Sequence, residues 1–385
     1  MTQTAEPAPR SFLDELKDGV TPRATLLVVG VLALQLLFIA SYVGALHHPK
    51  LRDVPFGVVA PRAAAEQAVT RLEGLPGEPL DPRTVADRAA ARERIVDREI
   101  DGALLIDPAG TTDTLLVASG GGRTLANALA TLVTALERSE GRTVRTVDVA
   151  PADTGDANGL TSFYLVVGWC VGGYLCASAL AMSAGARPTN IRRGIIRLGA
   201  LALFAILGGL GGAVIAGPVL GALPGSLAAL WGLGALVVFA VGAATLALQC
   251  VFGIAGIGVA VLLVVIAGNP SAGGALPPPL LPPFWAAIGP ALPPGAGVWV
   301  ARSIAYFEGN DTTGPLLVLS AWAVAGAAIT VAMAALRKKP TDRPAPDRST
   351  SDRPADRPAS DRPASTQQAS DRPASTQPAS DRPIS

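Results

Sequence analysis

Residues 198–301 contain no Asp, Glu, Lys or Arg, an unbroken run of 104 positions in a chain of 385. A water-soluble fold would have to present much of that run as one continuous apolar surface, which soluble monomers do not tolerate beyond roughly a few hundred Å². The chain therefore reads as an integral membrane protein. The charge deficit is local: only 16% of residues are charged and the mean hydropathy is +0.41, yet all 61 charges fall in the other 281 positions.

Residues 24–46 form a first charge-free stretch of 23, enough to cross a hydrocarbon core of ~30 Å as a helix. Lys17 and Arg23 before it are mixed with Asp14, Glu15 and Asp18, so the basic leader of a secretory signal is missing. An uncleaved signal anchor is expected, cleavage after Ala45 being the alternative. Turn-formers and charges divide the later apolar sequence into spans at 160–185, 198–220, 226–248, 250–268 and 314–336. Six transmembrane helices put both termini on one side. Residues 249–253 carry no charge to hold them at a surface, so spans four and five also fit a hairpin that does not fully cross, with the same parity.

Short cytoplasmic loops retain Lys and Arg. The loop after the second span holds Arg187, Arg192, Arg193 and Arg197 without an acid, and the last span ends in Arg337, Lys338 and Lys339. The expected localisation is the plasma membrane, multi-pass, with N- and C-termini cytoplasmic. Residues 47–159 carry 13 basic and 17 acidic side chains and belong in water outside the cell. Strands are expected at 54–60, 103–107, 114–118 and 144–149, and helices at 62–73, 84–99 and 125–139. That alternation implies an extracytoplasmic α/β insert domain with about four strands, large enough for its own core.

The chemistry-bearing residues are sparse. The histidines are His47 and His48, adjacent and without a carboxylate or cysteine cluster, so neither a metal site nor a Ser-His-Asp triad is expected. Cys170, Cys176 and Cys250 fall inside spans as small packing residues. Gly120-Gly121-Gly122-Arg123 precedes a helix and fits either an anion-binding turn or a flexible connection, but it lacks the spacing of a phosphate loop. No catalytic or ATP-binding motif occurs, so the chain is read as no enzyme and as having no cofactor. The spans have no ionisable residue at mid-depth, which disfavours proton- or ion-coupled transport. Gly168/Gly172, Gly208/Gly212 and Gly217/Gly221 have the spacing of close helix contacts.

Three further segments stand out. Residues 276–300 contain Pro277, Pro278, Pro279, Pro282, Pro283, Pro293 and Pro294 around apolar pieces too short to span. Repeated prolines forbid one continuous helix, and apolar irregular backbone must be covered by protein or line a cavity. A re-entrant outer segment follows, which fits a structural plug and a gate equally. Residues 187–197 fit both a topological anchor touching anionic lipid and a docking element for a partner. Before the first span, Phe12, Leu13 and Leu16 share one helical face of a cytoplasmic amphipathic segment within residues 1–23. Residues 337–385 repeat Asp-Arg seven times. Within them no large apolar residue appears before Ile384, so a disordered cytoplasmic tail without nucleic-acid binding is expected.

One span, an outer α/β domain and five spans with a proline-broken segment before the last resemble the ABC-2-type membrane permease superfamily, and within it the membrane proteins related to the phage-infection protein. The residues that carry the resemblance are Val54-Pro-Phe-Gly-Val-Val-Ala-Pro61, Gly102-Ala-Leu-Leu-Ile-Asp-Pro108, Leu281-Pro-Pro-Phe-Trp285 and Leu292-Pro-Pro-Gly-Ala-Gly297, within residues 11–338. The resemblance implies a homo- or heterodimer in the lipid bilayer with a separate nucleotide-binding ATPase subunit. By that resemblance Phe12, Leu16, Arg187, Arg192, Arg193 and Arg197 would dock the partner, and Pro282, Pro283, Phe284, Trp285, Pro293 and Pro294 would form an outer gate. The expected function is a permease-like subunit of an exporter for an apolar or amphipathic substrate. The alternative is an envelope scaffold or binding protein whose outer domain is the working part.

Overall fold

The computed structural model describes residues 21–336. The amphipathic segment with Phe12 and Leu16 and the tail 337–385 lie outside the described residues.

Helix α1, Pro22–Leu46, starts where Thr21 accepts a hydrogen bond from the Ala24 amide at 3.2 Å and Pro22 supplies a preset φ. A five-stranded sheet follows, in the order β2-β1-β3-β4-β5. Its strands are β1 Val54–Val59, β2 Leu80–Thr84, β3 Gly102–Leu105, β4 Thr112–Val117 and β5 Thr143–Asp148. Neighbours run parallel except β3 and β4. Helices α2 (Arg62–Glu73) and α4 (Arg123–Ser139) pack on one face and α3 (Arg88–Val96) on the other, each face with its own apolar cluster.

The expected four strands are five. Strand β2 escapes pattern reading because Asp81-Pro82-Arg83 reads as a turn, yet an edge strand accepts proline where no ladder amide is needed. The helix expected from residue 84 starts only at Arg88, where Asp87 accepts from the Ala90 amide at 2.8 Å. The domain does not complete its core alone. Leu276, Leu280 and Leu281 are buried in the same cluster as Phe56, Leu104 and Leu129.

Five helices are long and apolar enough to cross a membrane: Ala24–Leu46 within α1, α5 (Thr161–Ala184), α6 (Ile191–Val214, extended by wide turns to Val219), α7 (Leu227–Phe252) and α11 (Thr313–Ala335). The chain is a membrane-embedded protein. Helix α7 is the hub, with 61% of its apolar window buried against 6–39% for the others. Its neighbours cross it backbone to backbone. A Cβ on Gly173 would meet the Val238 carbonyl at 2.6 Å, and one on Gly209 would meet the Ala235 amide at 2.5 Å. The expected glycine pairs are not the ones that make this contact: Gly212 lies on Trp169, while Gly168 faces open space.

The expected span 250–268 is replaced by a shorter apolar helix, α8, Ala255–Ser271. Helix α7 takes up residues to Phe252, Gly253 reverses the chain at φ +66°, and Gly256 lies against the Leu248 backbone. Wide turns over Leu262–Gly268 then shorten its reach. After it come a tight turn Pro278–Leu280, helix α9 (Pro283–Ile288), a second turn Gly289–Ala291 and helix α10 (Pro293–Tyr306). The Trp322 indole donates to the Ala291 carbonyl at 2.9 Å. Trp322 lies nine residues into α11, about 14 Å along its axis. The segment thus dips among the helices before α10 returns to the sheet domain, as the prolines require.

Candidate functional site

A cavity of about 390 Å³ lies where the sheet domain meets this dipping segment. Its domain side comprises Pro55 of β1, Ile95 of α3, Ile100 and the start of α4 at Leu125; its other side comprises Pro277–Pro279, Pro290 and α10 from Gly295 to Arg302. Most of the wall is apolar. Among the described residues its ionisable side chains are Arg98, Asp101, Arg302 and Asp311.

Short ties close the seam around the cavity. The Arg52 amide donates to Pro279 at 3.1 Å, the Thr124 hydroxyl to Ala275 at 3.1 Å, and the Asn310 amide group to Asp97 at 2.8 Å. Asp156 accepts from the Leu160 and Thr161 amides at the start of α5 and from the Tyr306 hydroxyl at 3.0 Å. The Gly120–Gly122 turn belongs to this seam. A Cβ on Gly120 would collide with Tyr306, and one on Gly122 with Pro277. The three amides of that turn are taken by Ala150, Ala118 and Ser119, so they are not free to hold an anion, and the glycines admit a close neighbour.

Arg98 is held in a left-handed conformation at φ +63°, which costs a bulky residue energy and is kept only where surroundings enforce it. That bend turns its guanidinium onto the Trp299 ring, 3.4 Å from the centroid, and 4.8 Å from that of Phe307. Its Nη1 donates to the Trp299 carbonyl at 2.9 Å and the Ser303 hydroxyl at 2.7 Å. Burial, and then the nearby Arg302 charge, bring its pKa down to about 9. Arg302 is 3% exposed. It donates to Gly273 at 2.6 Å, Gly274 at 2.8 Å and Gly159 at 3.3 Å, tying α10, the turn after α8 and the linker before α5.

Asp101 differs from both. Its side chain has no hydrogen bond or salt bridge among the described residues, and burial pushes its pKa up to about 6 although Arg98 pulls it down.

The expected gate residues divide. Pro282, Pro283, Phe284 and Trp285 form the start of α9, with Phe284 exposed and Trp285 packed on the sheet domain's core. Pro293 and Pro294 begin α10 in buried positions, Pro293 beside Thr245 and Trp322 and Pro294 against Gly268. None of the six lines the large cavity, whose prolines are Pro277, Pro278, Pro279 and Pro290. At the opposite end, Arg192 and Arg193 are exposed. Arg187 donates to the Val251 carbonyl at 3.0 Å, and Arg197 is buried against the Ala184 and Gly185 carbonyls that end α5. These two arginines cap helix ends.

Arg98, Asp101 and Arg302 were not singled out by pattern. Arg302 carried one signal, as the first charge after the 104-residue run. Arg98 and Asp101 sit among many charges of the insert and carried none. Comparison with known proteins found no matching family model, no similar curated protein and no similar solved structure.

Proposed function

We propose that this chain is the membrane subunit of an exporter for an apolar or amphipathic substrate, energised by a separate ATPase. The observation that carries the reading is the cavity of about 390 Å³ enclosed between the sheet domain and the dipping segment 272–306. Apolar pockets of this size with a few convergent polar groups are the usual form of small-molecule sites. By the positive-inside rule the exposed Arg192 and Arg193 mark the cytoplasmic end, which makes the cavity an outward-facing vestibule. The cytoplasmic termini, six-crossing topology and plasma-membrane location belong to this reading, with α8 as the shortest crossing, the chain around it running from Gly253 beside Arg187 to Gly273 beside Arg302.

Segment 276–300 serves as the outer gate in this scheme. Its turns fit by close glycine contacts, Gly289 against Ser271 and Gly295 against Gly289, so opening it means breaking backbone packing while few side chains move. Arg192 and Arg193 are the free docking charges for an ATPase. Helix α1 is only 6% buried in its apolar window, which leaves a face for the second subunit of a dimer or for lipid. The scaffold alternative needs a self-contained outer domain, and Leu276, Leu280 and Leu281 in the domain's core weigh against it.

The test is purification in mild detergent with a search for a co-purifying nucleotide-binding subunit, alongside Arg192→Glu with Arg193→Glu. Loss of the partner and of export in the double variant supports the reading. Repeated recovery of partner-free protein with an unchanged phenotype sinks it. Replacing the spans by an unrelated single anchor should abolish function; retained function would favour the scaffold.

A further inference from the structure

The charged groups around the cavity are not equally committed. Arg302 spends Nη1 and Nη2 on three carbonyls. Arg98 spends Nη1 on two acceptors and lays its guanidinium face on Trp299. Asp311 lines the mouth as an exposed carboxylate, its backbone carbonyl taken by the Trp299 indole at 2.9 Å. Asp101 lines the interior with neither hydrogen bond nor salt bridge among the described residues. Both guanidinium groups are anchored to the protein through neutral acceptors, whereas the Asp101 carboxylate is the acid of the cavity interior without an anchoring contact, set in a wall of Ile95, Ile100, Leu125, Val298 and prolines.

An ionised carboxylate left without a partner in such surroundings is costly, and a ligand bringing the opposite charge removes that cost. We propose that the cavity binds an amphipathic cation, a molecule with an apolar body and a protonated amine, with the Asp101 carboxylate as its counter-ion. The assignment deepens the export reading and rests on it for the ligand's fate. Binding is measured without transport, so a chain that binds the amine and fails to export it overturns only the export reading.

Charge state gives the assignment a second handle. The charged side chains that share the cavity with Asp101 are Arg98 just after α3, Arg302 of α10 and Asp311 from the loop before α11. Desolvation outweighs the pull of Arg98 and raises the Asp101 pKa to about 6. The ionised fraction then falls about tenfold between about pH 7.5 and about pH 5, while an aliphatic amine stays protonated throughout.

The experiment uses the full chain in mild detergent and titrates octylamine, octanoate and octanol by calorimetry. Octylamine should bind saturably at about pH 7.5, more tightly than octanol or octanoate, and about tenfold more weakly at about pH 5. Asp101→Asn should weaken octylamine at least about tenfold and remove the pH dependence. The same variant should unfold no earlier than the parent, which separates a lost ligand contact from a lost fold. Tighter binding of octanoate would assign the site to Arg98 and an anion, and it overturns the proposal. So does equal binding of octanol, an unchanged Asp101→Asn variant, or no saturable binding of the amine.

Discussion

Removing the Arg302 guanidinium tests whether one side chain joins the dipping segment to the helices and to the linker from the sheet domain. The side chain is 3% exposed and donates to Gly273 at 2.6 Å, Gly274 at 2.8 Å and Gly159 at 3.3 Å. Two of these bonds are short and charge-assisted, worth about 1.5–3 kcal/mol each, and the long third is worth less. Arg302→Met would forfeit roughly 4–6 kcal/mol of gross interaction and leave three carbonyls without this donor. Against this, methionine removes a buried charge that has no salt bridge, and that relief is on the order of 2 kcal/mol. A net loss of about 2–4 kcal/mol remains. Arg302→Lys keeps the charge and loses the planar fork, so it should recover only part of the difference.

The assay is built into the sequence. Cys170 and Cys176 lie in α5 and Cys250 in α7, Cys170 and Cys250 being buried, and the sheet domain has no cysteine. A thiol-reactive fluorophore added during heating in detergent therefore reports opening of the helix bundle. At ~2–4 °C per kcal/mol for chains of roughly 150–250 residues and less for a longer one, Arg302→Met should lower the midpoint by about 3–10 °C, with Arg302→Lys between it and the parent. An unchanged midpoint for Arg302→Met refutes the assignment of Arg302 as the tie. Equal effects of Met and Lys refute the claim that fork geometry matters.

Three further outcomes are expected. Asp101 has its folded pKa raised from 3.8 to about 6, so the folded state holds its proton more tightly. The stability this confers is full below about pH 4 and lost as pH rises through about 6, by at most about 3 kcal/mol and less where cavity water screens the charge. Asp101→Asn should flatten that slope in the same thiol assay; a steeper slope would refute it. Gly289→Ala places a Cβ against the Ser271 carbonyl and should cost about 1–3 kcal/mol, because backbone cannot move aside cheaply. Gly168→Ala has nothing within 4 Å and should be close to neutral, and similar midpoints for the two variants would contradict the close packing of the segment. Asp156→Ala removes acceptors for Leu160, Thr161 and Tyr306. It should cost about 2–4 kcal/mol and raise proteolysis at the junction before α5, and an unaltered digestion pattern would contradict that role.

The membrane class was legible because charge is an all-or-none property at bilayer depth, and residues 198–301 have none. Five long apolar helices could be read from the same property. What failed were assignments that depend on which surface buries an apolar residue. Leu276, Leu280 and Leu281 have the hydropathy of a membrane segment, yet they complete the core of the sheet domain, and hydropathy cannot tell lipid from protein as the burying partner. The hub glycines Gly173 and Gly209 were missed for a related reason. A four-residue spacing marks a possible groove, but the partner backbone decides which glycine lies in it. The cavity itself was invisible in sequence because Asp101 and Arg302, 201 positions apart, come to line one cavity only through the tertiary fold.

Three energetic irregularities meet at that junction. Arg98 takes a left-handed backbone that a bulky residue avoids. Asp101 ionises against its surroundings, and Arg302 keeps a buried Nε without a hydrogen-bond partner. Each is unfavourable for folding alone, and an Asn at 101 would avoid the ionisation cost of the second. Arg98 and Arg302 return something structural, since both tie α10 to its neighbours. Asp101 returns nothing to the fold: it caps no helix and completes no salt bridge. A group that costs stability when ionised and makes no compensating hydrogen bond or salt bridge is explained when its partner is a molecule that comes and goes. This argument separates the cavity from the surface cluster of Arg71, Glu137, Asp113 and Arg142. There the buried carboxylates are matched by guanidinium groups at 2.9 Å and 2.6 Å, so the charges serve the sheet domain itself.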